Sequence, residues 1–144
     1  MKIYFAADHA GFDLKNVLIA HVRALGYEVE DLGANTLDPQ DDYPDYVTPC
    51  AERVAAEPDA RGIIIGGSGE GEAMAANRIK GVRAALYYGG SQEIVTLARE
   101  HNNANIISFG ARFVIADEAK RATELFLKTP FSGDERHVRR LAKF

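Results

Sequence analysis

The sequence predicts an α/β domain in three layers, built around a five-stranded and mainly parallel sheet. Short apolar runs alternate along the chain with segments in which apolar residues recur at helical spacing. Residues 63–65 are three consecutive isoleucines, as expected of a strand that is buried on both faces. In such a chain each helix crosses back over the sheet, so that helices cover both faces. These features together are typical of a Rossmann-like α/β/α fold.

Five segments are predicted to be strands from their apolar, aromatic and β-branched content. The predicted strands cover residues 2–7, 27–32, 62–65, 82–88 and 105–109.

The predicted helices lie between and after these strands. Residues 33–45 contain glycine, two prolines and four aspartates, and are predicted to be a loop. The helix after this loop should end before Pro58, and its start is open; one option has Thr48 as N-cap and Pro49 in the first turn. Gly26 is a plausible cap for the first helix. The other predicted helices cover residues 14–25, about 72–78, 91–100, 114–128 and, with Asp134 as cap, about 134–142.

The composition of the chain argues for one domain, residues 1–144, and against several functional classes. Its 144 residues can build one substantial core, and 47% are hydrophobic, which argues against disorder. The net charge of −4 argues against a general nucleic-acid surface. Cys50 is the one cysteine, so we expect no internal disulfide. No signal-peptide pattern or membrane-spanning apolar segment is present, so we expect a cytoplasmic protein.

A glycine-rich segment follows the third predicted strand. Four of the six residues from Gly66 to Gly71 are glycines, which leave backbone N–H groups open to an anion. A tight strand-to-helix turn is the simpler interpretation, but it needs fewer glycines, so we favour anion binding. The spacing is not the G-x-G-x-x-G of dinucleotide-binding folds, and no acidic residue ends the fourth strand.

Glu70 and Glu72 lie where the next helix should begin, and each has two interpretations. Carboxylates in the first turn of a helix interact favourably with its dipole. A general base at this place would need partial burial, which would raise its pKa towards neutrality. Which of the two side chains points inward is left open.

Polar residues also follow two other strands, at the edge where ligands bind in parallel sheets. Asp8 and His9 follow the first strand, and Arg112 follows the fifth. Asp8 could equally cap the following helix. His101 and Asn102 precede the fifth strand, where ordinary turn chemistry is an equal alternative.

The C-terminal segment carries a basic cluster. Arg136 and Arg140 lie one helical turn apart, and His137 is adjacent. The cluster is either a solvated helix end, where positive charge suits the dipole, or a site for a small phosphate, which arginine binds bidentately.

Taken in order, these motifs resemble the ribose-5-phosphate isomerase B family, which also contains the galactose-6-phosphate isomerase subunits. The similarity covers nearly the whole chain, and the order and spacing of the motifs are more specific than any one of them. The matching segments are 7–11, 42–44, 66–72, 75–77, 99–105, 110–112 and 136–137.

The resemblance implies an aldose–ketose isomerase that works through a cis-enediolate with no metal and no cofactor. One branch of the family uses a cysteine at the end of the third strand as its base. That position is Gly66 here, so the chain resembles the other branch, in which a glutamate after the glycine loop, here Glu72, takes this role. We expect interconversion of ribose 5-phosphate and ribulose 5-phosphate. Another phosphosugar (galactose 6-phosphate, allose 6-phosphate or a tetrose phosphate) and a non-catalytic phosphosugar- or nucleotide-binding protein are the alternatives.

The same resemblance assigns roles to the residues of the matching motifs. Ser68 would pass a proton between the C1 and C2 oxygens, and Asp8 and His101 would assist opening of the sugar ring. Backbone N–H groups of the loop would hold the enediolate oxygen; the loop residues are Gly67, Ser68, Gly69, Glu70 and Gly71. Sugar contacts are implied for Tyr43 and Asn102, and phosphate contacts for His9, Arg112, Arg136, His137 and Arg140.

The resemblance also implies a second subunit. In the family the active site takes residues from two subunits, with the His101–Asn102 region and Arg112 donated across the interface. We therefore expect a homodimer or a dimer of dimers with shared active sites, and neither a nucleic acid nor a membrane as partner.

Overall fold

The computed structural model describes all 144 residues, in which strands and helices alternate along the chain. The strands are β1 (Lys2–Ala7), β2 (Glu28–Asp31), β3 (Arg61–Gly66), β4 (Ala84–Tyr87) and β5 (Ile106–Gly110). The helices are α1 (Phe12–Ala24), α2 (Pro44–Ala56), α3 (Glu70–Ala76), α4 (Glu93–Asn102), α5 (Ala116–Lys128) and α6 (Glu135–Leu141). No helix is both long enough and apolar enough to cross a membrane.

The five strands form one sheet in the order β2-β1-β3-β5-β4, and every pair of neighbours is parallel. The predicted α/β class is thus confirmed, and the sheet is entirely rather than mainly parallel. The three central strands are buried, as their apolar sequences require. Strands β2 and β3 lie on opposite sides of β1. The connections from β1 and β3 therefore run in opposite directions, which leaves a crevice at the carboxyl ends of these two strands.

Two apolar clusters cover the two faces of the sheet. Ile3 and Phe5 of β1 pack with residues of α1, α4 and α5, whereas Tyr4 packs with residues of α2 and α3. This alternation follows from the two-residue repeat of a strand, which sends successive side chains to opposite faces. Helices therefore form a layer on each face, as the three-layer prediction requires.

Most predicted boundaries lie within two residues of the observed ones, but the start of α2 does not. The option with Thr48 as N-cap is wrong, because the helix begins at Pro44 and contains Pro49. Proline suits the first position of a helix, where its missing N–H has no partner to lose. Because Pro49 has no N–H, the carbonyl of Asp45 lacks its usual hydrogen bond within the helix. Both residues are exposed, so a water molecule can donate to this carbonyl instead. Asp134 lies at the N-cap of α6, although its side chain makes no capping hydrogen bond.

A buried lysine ties α1 to the segment after β2. Lys15 is fully buried, and its Nζ donates to both carboxylate oxygens of Asp31, at 2.6 and 2.7 Å, and to the carbonyl of Ala34, at 2.7 Å. The N–H of Ala34 donates in turn to the carbonyl of Ala7 at 2.6 Å. These contacts hold the carboxyl end of β1 directly before Asp8.

We expect Lys15→Met to lower the free energy of unfolding by about 3 kcal/mol or more, because Asp31 would then have no cation to pair with. Lys120→Met removes a surface pair with Asp117 at 3.6 Å and should cost less than about 1 kcal/mol. Chemical denaturation of both variants measures the difference. Equal losses would mean that the Lys15 pair does not anchor this edge.

Candidate active site

Three groups of predicted residues meet at the carboxyl edge of the sheet. Asp8 follows β1, the glycine loop (residues 66–71) follows β3, and Arg112 follows β5. Their strands are direct neighbours in the sheet, so the three groups surround one crevice. The switch in strand order between β1 and β3 makes this crevice the expected ligand site of the fold.

Glu72 points into the molecule, whereas Glu70 faces solvent. Both lie in the first turn of α3, but Glu72 is only 4% exposed. Burial raises the pKa of Glu72; a hydrogen bond from its own backbone opposes this, and the Asp8 carboxylate raises the pKa further. A carboxylate whose pKa is raised towards neutrality is suited to accept a proton from carbon. Of the two glutamates, only Glu72 has the surroundings of a general base.

The carboxylate of Glu72 occupies the space that a side chain at position 66 would need. A Cβ added to Gly66 would lie 2.5 Å from Oε2 of Glu72 and closer still to Oε1. Such contacts are far inside van der Waals distance, so a side chain at position 66 and an inward Glu72 exclude each other. Glu72 can therefore occupy this space only because position 66 has no side chain.

The glycine loop is held by β5 and presents free donors. Gly69 has φ = +78°, which favours glycine, and its carbonyl accepts a hydrogen bond from the buried hydroxyl of Ser108 at 2.6 Å. The backbone N–H groups of Gly67, Ser68 and Gly69 have no hydrogen-bond partner within the chain, whereas the N–H of Glu70 donates to Oγ of Ser68 at 3.2 Å. Three open N–H groups in a fixed loop can hold an oxyanion.

Tyr43 and Gly71 close the other side of the loop. Tyr43 lies at the N-cap of α2, and Gly71 lies in the first turn of α3. A Cβ on Gly71 would lie 2.7 Å from Oη of Tyr43, so the phenol rests on the backbone of the loop. Tyr43 is thus brought to the crevice.

Arg112 and His9 place positive charge beside the loop. A Cβ on Gly67 would lie 3.1 Å from Cζ of Arg112, so the guanidinium lies against the loop backbone. The pKa of His9 is raised, chiefly by a hydrogen bond to Asp41, although the nearby Arg112 opposes this. The resemblance implied that Arg112 acts across a subunit interface, but the structure places it against the loop of its own chain. An arginine and a histidine whose pKa is raised suit a phosphate at this side of the loop.

Asp8 does not cap α1, whose N-cap is Gly11, but it forms a turn before that helix and lies at the crevice. It is 7% exposed, and its Oδ1 accepts hydrogen bonds from the N–H groups of Ala10 at 3.0 Å and Gly11 at 3.2 Å. These two bonds close a turn directly before α1. Its Oδ2 lies 3.9 Å from Nδ1 of His9, and its charge raises the pKa of Glu72. The second oxygen of Asp8 therefore faces the other groups of the crevice.

The remaining predicted site residues lie at the opposite edge of the sheet. Helix α4 begins after the carboxyl end of β4 and ends before the amino end of β5, so its last residues lie at the amino edge. Helix α6 packs against α4 there. Strands of this length span about 13–20 Å, so this group does not reach Glu72 of the same chain. We call the group the amino-edge cluster; it consists of His101, Asn102, Arg136, His137 and Arg140.

Within the amino-edge cluster the histidines are stacked and the arginines are exposed. The rings of His101 and His137 lie 4.2 Å apart, and Nε of Arg136 donates to Nε2 of His137 at 3.2 Å. Burial, and then the neighbouring His101, lower the pKa of His137, which favours a neutral ring. His137 is therefore placed to orient Arg136, whereas Arg136 and Arg140 are free to meet an anion.

Asp8, His9 and Asp41 form the one group whose side-chain atoms are close enough together to hold a metal ion. Their ligand atoms lie within 4.8 Å of one another, but most are already used. Nδ1 of His9 bonds Oδ1 of Asp41 at 2.7 Å, and Oδ1 of Asp8 accepts two backbone N–H groups. Hydrogen bonds therefore explain why these three side chains lie close together.

Two residues of this edge were not identified from the sequence. Asp41 is one of four aspartates in the loop predicted at 33–45, and nothing local distinguishes it from the others. Ser108 is a single hydroxyl within an apolar strand. Both act through partners that are distant in the sequence, His9 and Gly69.

Comparison with known proteins gives matches over nearly the whole chain. A family model described as Ribose/Galactose Isomerase matches residues 3–144. Ribose-5-phosphate isomerase B of Mycolicibacterium paratuberculosis is 45% identical over 141 residues, which are 98% of this chain and 87% of that protein. The probable ribose-5-phosphate isomerase B of Mycoplasma pneumoniae is 42% identical over 98% of this chain and 91% of that protein.

Solved structures are similar over the whole fold. Ribose-5-phosphate isomerase B from Mycoplasma genitalium, with bound ribulose-5-phosphate, matches with a TM-score of 0.93 at 42% identity, over 99% of this chain and 92% of that chain. The ribose 5-phosphate isomerase of Thermotoga maritima matches with a TM-score of 0.91 at 40% identity, over 99% of this chain and 95% of that chain. With matches of this extent in sequence and in structure, the chain belongs to the ribose/galactose isomerase family.

Proposed function

We propose that this protein is an aldose–ketose isomerase that interconverts ribose 5-phosphate and ribulose 5-phosphate. The observation that carries the proposal is the buried carboxylate of Glu72, with its raised pKa, beside a loop of open N–H groups. The relatives named ribose-5-phosphate isomerase B, and the related structure with bound ribulose-5-phosphate, support the pentose substrate.

The proposed reaction moves one proton between neighbouring carbons. Glu72 removes the proton from C2 of the open-chain aldose, and the electron pair moves through the new C1–C2 double bond to the oxygen on C1. Ser68 passes a proton from the oxygen on C2 to the oxygen on C1. Protonated Glu72 then returns its proton to C1, which leaves a carbonyl at C2. The N–H groups of the loop stabilise the enediolate, and one such donor is worth about 3 kcal/mol.

The phosphate is the remote anchor that positions the reacting carbon. His9 and Arg112 provide charge beside the loop within one chain. Binding energy gained there can offset the entropic cost of holding C2 against Glu72. Asp8 faces the same crevice and is proposed to assist ring opening, together with His101 of a second subunit. Tyr43 and that subunit's Asn102 are proposed to hold the sugar.

The proposal includes a homodimer in which each chain completes the other's site. The amino-edge cluster cannot reach the crevice of its own chain, yet it carries two exposed arginines suited to a phosphate. Exposed apolar side chains lie at the carboxyl end of β5 and beyond, with Phe113 63% and Ile115 70% exposed. This exposure supports the proposal of a subunit interface here. A two-fold axis would bring the cluster of each chain to the crevice of the other.

Proton NMR of ribose 5-phosphate in heavy water, with excess chelator, tests the function directly. We expect ribulose 5-phosphate to form and deuterium to enter C2 of the recovered aldose, because the transferred proton exchanges at Glu72. Neither exchange nor ketose formation would contradict the pentose substrate. Four- and six-carbon sugar phosphates would then be the next substrates to test.

Glu72→Gln should lower kcat by at least about 100-fold while substrate still binds, because the amide cannot accept a proton from carbon. The matched variant Glu70→Gln keeps its backbone N–H and should lose less than about tenfold. Steady-state kinetics and a binding titration measure both. Comparable activity in the two variants would show that Glu72 is not the base.

Gly66→Ala should also lower kcat by about 100-fold or more, because its Cβ would displace the Glu72 carboxylate. Phosphate binding should change little, since His9 and Arg112 lie elsewhere in the crevice. Kinetics and a phosphate titration separate these effects, and circular dichroism checks the fold. Full activity in Gly66→Ala would contradict the position of Glu72.

Mixing two inactive variants tests the shared sites. After dissociation and reassociation of Glu72→Gln with His101→Ala, half of the dimers are mixed, and each mixed dimer has one intact site. Activity should therefore return to about a quarter of the wild-type value. Glu72→Gln mixed with Ser68→Ala is the control, because both changes affect the same-chain part of the site and no intact site can form. Equal recovery in both mixtures, or in neither, would overturn the shared site.

A further inference from the structure

A carboxylate of the long loop is paired with a histidine of the crevice. Oδ1 of Asp41 accepts a hydrogen bond from Nδ1 of His9 at 2.7 Å and another from the backbone N–H of His9 at 3.1 Å. Asp41 precedes α2, and His9 follows β1, so the pair joins the two segments across the mouth of the crevice. Two bonds to one oxygen fix both the backbone and the ring of His9.

The burial of Asp41 favours a positive charge on His9. The Asp41 side chain is only 5% exposed, and its Oδ2 is buried without a hydrogen-bond partner. A buried carboxylate is stable as an anion only beside a compensating charge. His9 is the one side chain that forms an ion pair with Asp41. The geometry of the pair therefore favours an imidazolium beside the carboxylate.

The other charged groups around His9 act in opposite directions. Asp8, with Oδ2 at 3.9 Å from Nδ1, favours the protonated ring, whereas Arg112 and partial burial disfavour it. Tyr46 also senses the carboxylate: burial, and then the charge of Asp41, raise the pKa of its phenol, which therefore stays neutral. The hydrogen bond to Asp41 is the largest of these effects, and the pKa of His9 is raised overall.

The protonation state of the His9 ring decides whether its Nε2 atom can donate a hydrogen bond to an anion. In a neutral ring that donates from Nδ1 to Asp41, Nε2 carries a lone pair, which would repel a phosphate oxygen. In the imidazolium both nitrogens donate. Nδ1 is bound to Asp41 and the ring is partly exposed, so Nε2 is the atom available to a ligand.

We propose that Asp41 is a positioning residue for phosphate binding, which holds His9 through Nδ1 so that Nε2–H faces the substrate phosphate as a charged donor. The inference rests on the proposed function, because it deepens the role of His9 in that site. Asp41 does not touch the reacting carbons, so it acts on substrate binding and leaves the proton transfer at Glu72 unchanged.

The test variant is Asp41→Asn, which keeps the size and an acceptor oxygen but removes the charge. We expect the pKa of His9, followed by NMR of the imidazole and identified with His9→Gln, to fall by about one pH unit. At pH 8, KM and the Kd for inorganic phosphate should rise about tenfold, while kcat changes less than about twofold. At pH 6 the difference should shrink, because His9 is then protonated in both proteins.

Asp45→Asn is the matched control. Asp45 is exposed, lies four residues further on and has no side-chain hydrogen bond, so its loss should change none of these values. In the otherwise unaltered protein, His9→Gln should remove the part of the pH dependence of phosphate binding that exceeds the ionisation of phosphate itself between pH 6 and 8. This measurement does not require the Asp41 variant to fold.

An unchanged pKa of His9 in Asp41→Asn would overturn the proposal. So would a lowered pKa with unchanged phosphate affinity, a loss confined to kcat, or a pH dependence of phosphate binding that is the same in His9→Gln as in the wild type. The imidazole and phosphate titrations need no turnover. A protein that failed to isomerise any sugar phosphate would therefore contradict the proposed function, and the pairing of Asp41 with His9 would be decided separately.

Discussion

The packing of the Glu72 carboxylate against Gly66 is the constraint on which the carboxyl edge of the sheet depends. Because position 66 has no side chain, α3 can begin close to the end of β3 and return Glu72 over it. Two effects then compete at the carboxylate. The helix dipole stabilises its anion by less than about 1 kcal/mol, whereas burial stabilises the neutral form. The pKa of Glu72 is raised, so burial is the larger effect.

The rest of the edge is organised so that little must move during the reaction. Ser108 holds the carbonyl of Gly69, and Gly110 lies so close to Ser68 that a Cβ there would be 2.5 Å from the Ser68 carbonyl oxygen. The loop thus rests on β5 before any ligand arrives. Donors that are already oriented stabilise a developing charge without the cost of reorganisation. Asp41 gives His9 a comparable support on the other side of the crevice.

The local patterns predicted the fold well because they report on short-range physics. The isoleucines at residues 63–65 predict a buried strand, and the alternation of strands with helices predicts a parallel sheet; the structure has both. The start of α2 was predicted poorly, because Pro49 looked like a helix start and its exposed position was not visible. The roles of Asp41 and Ser108 depend on partners 32 and 39 residues away, which no local pattern reveals.

The sequence by itself determined the fold class, the family and the residue types available for proton transfer and phosphate binding. The alternation of strands with helices, the spacing of glycines and the charge are properties that can be read from the sequence alone. Only the tertiary structure decided that Glu72 rather than Glu70 is buried, and that the amino-edge cluster lies a full strand length from the crevice of its own chain. Burial and separation depend on how the helices pack on the sheet, and that packing joins residues that are far apart in the chain.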